Sequence, residues 1–63
     1  MIGNNVRSLR EQRKVSQEAL ADAVGFGRSY LSGVERGVRN PSATQLARLA
    51  KALRVKVGLL FEE

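Results

Sequence analysis

The sequence predicts an all-α fold, a compact bundle of four to five short helices that forms one domain over residues 1–63. Three observations carry this prediction. Apolar residues recur at helical spacing in four separate stretches. Serines that can cap a helix precede two of these stretches, and glycines follow two of them. The chain is also near the lower size limit at which one core holds together without metals or disulfides.

The first predicted helix carries an apolar face and a basic stripe. It runs from Ile2 or Asn5 to Arg13. Its apolar face, at helical spacing, consists of Ile2, Val6 and Leu9. The basic stripe beside that face consists of Arg7, Arg10 and Lys14.

The second and third predicted helices are joined by a short turn at Gly25. Ser16 can accept a free backbone N–H of the first turn, so the second helix is expected to begin at Gln17. Gly25 follows where a helix commonly ends in a left-handed residue. The third helix is expected to start near Arg28 and to end at Gly37. The inward residues of this pair are Leu20, Val24, Leu31 and Val34.

The fourth predicted helix begins at about Ala43, after a loop that contains Pro41. Ser42 and Gln45 have the spacing of a capping box. The helix is expected to end near Leu53, although Arg54 stands where a glycine would commonly stop it. Its apolar stripe consists of Leu46, Leu49, Ala50 and Leu53.

The tail after Arg54 is less clearly specified. Val55 and Val57 alternate as in a strand, but one short strand would have no sheet to join, so a last helical turn through residues 59–61 is favoured. The tail contains an apolar cluster of Leu59, Leu60 and Phe61. This cluster either closes the core or forms the seam of a two-fold dimer.

The composition excludes several function classes. Because the chain has no cysteine and no histidine, disulfides, thiolate chemistry, imidazole catalysis and zinc sites are excluded. We therefore expect no enzyme activity, no metal and no cofactor, and nothing indicates a small-molecule ligand. The chain lacks a long apolar run and a signal peptide, which predicts a cytoplasmic protein that does not use a membrane. Eleven Lys and Arg against six Asp and Glu give a net charge of +5, which favours a polyanion as partner, although many small proteins are basic without binding nucleic acid.

The unit over residues 16–36 is more specific than the charge. Two helices joined by so short a turn cross at a steep angle, and the small Ala21 fits at the crossing. The positions that carry a family pattern are Gln17, Ala21, Gly25, Leu31, Val34, Glu35-Arg36-Gly37, Arg39-Asn40-Pro41-Ser42, Leu46, Leu49, Ala50 and Leu53. In these residues the chain resembles the phage repressor and Cro family of helix-turn-helix domains, also called the xenobiotic-response-element type.

The resemblance covers nearly all of the chain and implies a lambda repressor-like fold that binds double-stranded DNA. In such motifs the second helix of the unit, here residues 28–36, lies in the major groove. Arg28 is expected to read a guanine edge, or else to contact phosphate only. Ser29 and Ser32 lie on the same exposed side and can bond a base edge or a phosphate, or serve solubility alone.

Other residues are expected at the DNA backbone. Gln17, at the start of the second helix, is predicted to bind a phosphate together with free backbone N–H groups. Asn40 is a second phosphate contact or a turn residue, and Arg39 adds a contact or is solvated. Tyr30 packs its ring near the sugar-phosphate backbone or against the fourth helix. The resemblance also implies a structural ion pair between Arg10 and Glu35, in which Arg10 can additionally reach a phosphate.

The chain departs from the family pattern at two glycines in the reading unit. Gly27 stands where a capping serine or threonine is usual, so a phosphate-binding hydroxyl is missing. Gly33 lies at a position that often carries a base-reading side chain, so one reader is absent. The missing side chain either lets the helix approach the bases or a thymine methyl more closely, or leaves weak specificity that depends on DNA shape.

The predicted function is sequence-specific DNA binding by a small homodimeric transcription regulator, a repressor or autoregulator. The end of the third helix also resembles small controller proteins of restriction-modification systems. The alternative is a protein-interaction module, such as an antitoxin, that binds a partner protein through Leu59, Leu60 and Phe61. The state of this cluster discriminates between the two classes.

Overall fold

The computed structural model of the protein describes residues 2–61, which form four α-helices and a C-terminal 3₁₀ helix. No strand occurs in this part of the chain, so the predicted all-α class is confirmed. The molecule measures about 24 × 23 × 19 Å. The elements are α1 Ile2–Gln12, α2 Gln17–Val24, α3 Arg28–Arg36, α4 Ala43–Leu53 and the 3₁₀ helix Val57–Phe61.

The helix ends follow local capping chemistry. The Ser16 hydroxyl accepts the backbone N–H of Ala19 at 3.0 Å, and α2 begins at Gln17 as predicted. Gly25 ends α2 in the left-handed region with φ 77°. The predicted capping box at the start of α4 is also present, because Ser42 and Gln45 exchange bonds of 2.8 and 3.2 Å.

Two turns use the left-handed region without a glycine. Lys14 has φ 57° in the turn after α1, and Arg54 has φ 59° at the end of α4. The backbone N–H of Arg54 still closes the helix on the carbonyls of Ala50 and Lys51. The missing glycine therefore does not prevent this turn, although a left-handed residue with a Cβ costs roughly 1–2 kcal/mol.

The helices share one apolar core, which the 3₁₀ helix closes. Leu60 has no exposed surface and packs into this core. Of the two alternatives predicted for the tail cluster, Leu60 therefore shows core closure and not a place in a dimer seam, because a fully buried side chain of one protomer cannot contact another. Leu59 is half-buried and Phe61 is 54% exposed, so only these two members of the tail cluster reach the surface.

Helix α1 lies very close to α3. A Cβ added at Gly3 would collide with the backbone carbonyls of Val34 and Glu35. Since backbone atoms cannot move aside as a side chain can, a glycine is required here, which the helical periodicity did not indicate. Among residues 2–61, no helix has the length and the apolar character needed to cross a membrane.

Candidate nucleic-acid interface

The α2–turn–α3 unit is fixed by buried contacts on its inner side. Ala21 is 2% exposed, and its carbonyl accepts the N–H of Phe26 at 2.9 Å across the turn. The inward side chains Leu20, Val24, Leu31 and Val34 are all buried. Close packing of these groups holds α3 in one orientation with its outer side free.

The outer side of α3 carries the predicted base-reading residues. Arg28 and Ser29 are exposed, and Ser32 is half-buried one turn further along the helix. Gly27 precedes them with extended backbone and no side-chain cap, as its residue type requires. The structure thus places the three candidates on one surface of α3, where their contact with DNA stays a prediction.

Arg10 and Glu35 form the ion pair that the resemblance implied. Arg10 Nε donates to Glu35 Oε2 at 2.8 Å and Arg10 Nη2 donates to Glu35 Oε1 at 3.1 Å, so the pair is bidentate. The hydrogen bond to Glu35 raises the pKa of Arg10 above its ordinary value. Arg10 Nη1 donates to the carbonyl of Val15 at 3.0 Å. Because three of its nitrogens are engaged inside the protein, Arg10 serves the fold, and a phosphate contact would be secondary.

Gln17 joins this pair from the start of α2. Its amide nitrogen donates to Glu35 Oε1 at 3.2 Å, and the side chain is half-buried. One amide hydrogen is used in that bond, and the second remains for a phosphate. The Arg10–Glu35 ion pair therefore also orients the side-chain amide of Gln17, which is predicted to bind a phosphate.

A cleft of about 280 Å³ opens in front of Gln17. Its lining contains two arginines that the sequence did not single out as contacts, Arg7 of α1 and Arg36 of α3. Arg7 precedes Arg10 by one helical turn, and that spacing could have identified it. Gln17 and Ser32 also line the cleft, and the carboxylate of Glu35 in its wall is paired with Arg10. The unpaired groups that the cleft presents to an anion are therefore cationic or hydrogen-bonding.

Tyr30 packs against α4, which was one of its two expected arrangements. Its hydroxyl donates to Gln45 Oε1 at 2.8 Å, and its ring meets the ring of Phe26 edge-on at 5.4 Å. A phosphate accepts hydrogen bonds, and the phenol has only one hydrogen to donate. In this arrangement the Tyr30 hydroxyl is used within the protein, and a contact of Tyr30 with the sugar-phosphate backbone stays a prediction.

The loop after α3 places Arg39 and Asn40 at the surface. Both residues are exposed, and Asn40 stays available for the predicted phosphate contact. The Arg39 side chain lies against Gly33, which is buried. The sequence suggested that Gly33 leaves an empty place on the reading surface. In the structure the aliphatic stem of Arg39 covers this place.

The chain belongs to the helix-turn-helix family, whose model matches residues 6–60. It is 50% identical over 59 residues to an uncharacterised HTH-type transcriptional regulator of Mycobacterium tuberculosis strain H37Rv. That match covers 94% of this chain and 42% of the relative, so the chain spans less than half of the relative's length.

Two solved structures share both the fold and the sequence pattern. The restriction-modification controller protein C.AhdI from Aeromonas hydrophila superposes with a TM-score of 0.92 at 45% identity, covering 95% of this chain and 91% of that one. The biofilm master regulator SinR, solved in complex with DNA, has a TM-score of 0.92 at 35% identity, covering 98% of this chain and 100% of that one. The DNA-binding domain of the P22 c2 repressor is also similar, with a TM-score of 0.92 at 32% identity, covering 95% of this chain and 79% of that one. The predicted resemblance to phage repressors and controller proteins is thereby confirmed.

Proposed function

We propose that this chain binds double-stranded DNA sequence-specifically and acts as a transcriptional repressor or autoregulator. The observation that carries the proposal is the fixed α2–turn–α3 unit, which holds Arg28 and Ser29 at the exposed start of α3. A helix presented in this way lies in the major groove with its N-terminal residues at the base edges. The DNA-bound relative SinR supports the same class of partner. Such a regulator works where the chromosome is, in the cytoplasm, and needs no catalytic group.

The proposed contacts divide into base reading and backbone binding. Arg28 offers a planar fork to guanine O6 and N7, a contact worth about 1–3 kcal/mol of discrimination. Ser29 and Ser32 support it from the same surface. Gln17 and Asn40 bind phosphates on either side of α3, and the net charge of +5 adds a sequence-independent attraction.

A homodimer would supply specificity that a single α3 lacks, because α3 carries few base-reading side chains. Two copies of α3 would enter successive major grooves roughly 34–36 Å apart and read a pseudo-palindrome. The exposed apolar residues of the 3₁₀ helix, Val57 at 43% and Phe61 at 54% exposure, are the proposed seam together with Leu59. Phe61→Ser should then weaken self-association in sedimentation, with only a modest fall in the unfolding midpoint of the monomer because about half of Phe61 is exposed.

The same exposed residues favour a second candidate function. In a protein-interaction module such as an antitoxin, Leu59 and Phe61 would contact a different protein. Under that hypothesis the chain alone would sediment as a monomer at every concentration that binds DNA. A concentration-dependent dimer supports the regulator instead.

The deciding experiment selects bound duplexes from a random pool at fixed salt, with sedimentation in parallel. Enrichment of a motif with two related halves supports the proposal. Enrichment of no motif, with affinity lost near physiological salt, contradicts it because only phosphate attraction would remain.

Two variants assign the contacts within the selected site. Arg28→Ala should relax preference at one base pair and leave the salt dependence little changed, whereas Gln17→Ala should weaken all duplexes alike. Equal weakening across sequences for Arg28→Ala would make Arg28 a phosphate contact.

A further inference from the structure

Position 33 lies on the side of α3 that carries the predicted base-reading residues. Ser29 precedes Gly33 by one helical turn, so a side chain at position 33 would emerge beside Ser29 on the proposed reading surface. Gly33 is nevertheless buried, whereas Ser29 is exposed. A group from outside the helix therefore covers α3 at Gly33.

The covering group comes from the loop that follows α3. The carbonyl of Gly33 accepts two backbone N–H groups of that loop, from Val38 at 2.9 Å and from Arg39 at 3.2 Å. These bonds fold the loop back over the helix. A Cβ at Gly33 would lie 2.6 Å from Arg39 Cγ, and 3.5 Å from both Arg39 Cβ and Val38 Cγ2, so Arg39 makes the nearest contact. The stem of Arg39 thus occupies the space that a side chain at position 33 would need.

We infer that Gly33 is a positioning residue: its missing side chain lets Arg39 lie along α3 and act as a specificity-determining residue that reads a base edge. This inference rests on the proposed DNA binding and assigns a further contact within it. Arg39 is exposed beyond this contact, and it also borders a cleft together with Ile2 and Phe61. From the covered stem the long side chain can turn its guanidinium toward the DNA-facing side of α3. A planar fork in that place can engage guanine O6 and N7 as Arg28 can.

The contact between the Arg39 stem and Gly33 lowers the entropy cost of base reading by Arg39. A long side chain that is free in solution loses rotamer freedom when it binds DNA. The contact with Gly33 restricts the stem of Arg39 before binding, so less freedom is lost. A Cβ at position 33 would displace the stem of Arg39 and, because Cγ lies close to the Arg39 backbone, would shift the loop at Arg39 as well.

The test is a double-mutant cycle of Gly33→Ala and Arg39→Ala, measured on the selected duplex and on duplexes with each base pair changed. We expect Arg39→Ala to reduce discrimination about tenfold at one base pair. Gly33→Ala should reduce discrimination at the same base pair and add nothing when Arg39 is already alanine. Its melting temperature should change little, because the gain in helix propensity of alanine over glycine offsets the displacement of the Arg39 stem. Arg39→Lys, which keeps the charge and loses the fork, should behave as Arg39→Ala does at that base pair.

Two matched controls separate the inference from general effects. Ala52→Leu enlarges an exposed side chain of α4, outside the proposed seam and reading surface, and should leave discrimination unchanged. Arg48→Ala removes one exposed positive charge of α4 and should weaken all duplexes slightly and equally. If Arg39→Ala only matches Arg48→Ala, or if the effects of Gly33→Ala and Arg39→Ala add, the inference is overturned. If the wild-type chain selects no motif at all, the proposed function fails first and the inference fails with it.

Discussion

Replacing Glu35 by alanine should destabilise the protein strongly, because it leaves the Arg10 guanidinium without its partner. The side chains of the pair are 13% and 4% exposed, so water can compensate Arg10 only in part. Removing one member of a buried pair costs about 3–5 kcal/mol. Arg10 keeps its bond to the Val15 carbonyl, which places the expected loss near the lower end, at about 3 kcal/mol.

This loss is large for a domain of this size. At ~0.05–0.15 kcal/mol per residue, the chain has a free energy of unfolding of about 3–9 kcal/mol. A loss of about 3 kcal/mol corresponds to a fall in the melting temperature of about 12–24 °C. Urea and thermal unfolding, followed by far-ultraviolet circular dichroism, measure both quantities.

The chain offers a matched control in its other ion pair. Arg7 and Glu11 are separated by 3.4 Å at 62% and 57% exposure, so Glu11→Ala should cost less than about 1 kcal/mol. The reasoning is refuted if Glu35→Ala and Glu11→Ala destabilise the protein equally. A double variant, Arg10→Met with Glu35→Leu, should recover much of the loss because no charge is then left buried.

Three further predictions concern the stability of the helix ends and the core, each measured by urea unfolding. Leu60→Ala should lower the free energy of unfolding by about 2–5 kcal/mol because its side chain is fully buried, and an effect below about 1 kcal/mol would contradict its place in the core. Ser42→Ala should cost about 0.5–2 kcal/mol through loss of the cap of α4, with the exposed Thr44→Ala as a control that should change little. Arg54→Gly should raise stability by about 1 kcal/mol, since glycine adopts φ 59° without strain, and a decrease would show that the arginine side chain contributes more than the turn costs.

The helix bounds could be predicted because they depend on neighbouring residues. Ser16, Gly25 and Ser42 act on backbone groups within a few positions, so their effect is visible in the sequence. Helix α1 ends at Gln12, one residue before the predicted Arg13, which lies within the usual uncertainty of a helix end.

The contacts between distant segments could not be predicted from spacing. Arg10 and Glu35 are 25 positions apart, and only the family resemblance indicated their pairing. The burial of Leu60, the close approach at Gly3 and the covering of Gly33 by Arg39 all depend on how helices and loops pack together. Residue type alone does not specify such packing. From the sequence, Gly33 indicates only a missing side chain, whereas in the structure it leaves room for the side chain of Arg39.

Helix α3 is held at both flanks by side-chain hydrogen bonds to neighbouring helices. Glu35 ties one flank to α1, and Tyr30 ties the other to Gln45 of α4, whose oxygen also accepts the Ser42 N–H. The helix therefore needs little ordering when it meets its partner. Calorimetry should then show a heat-capacity change that reflects the surface buried at the interface alone, without the larger decrease that accompanies coupled folding.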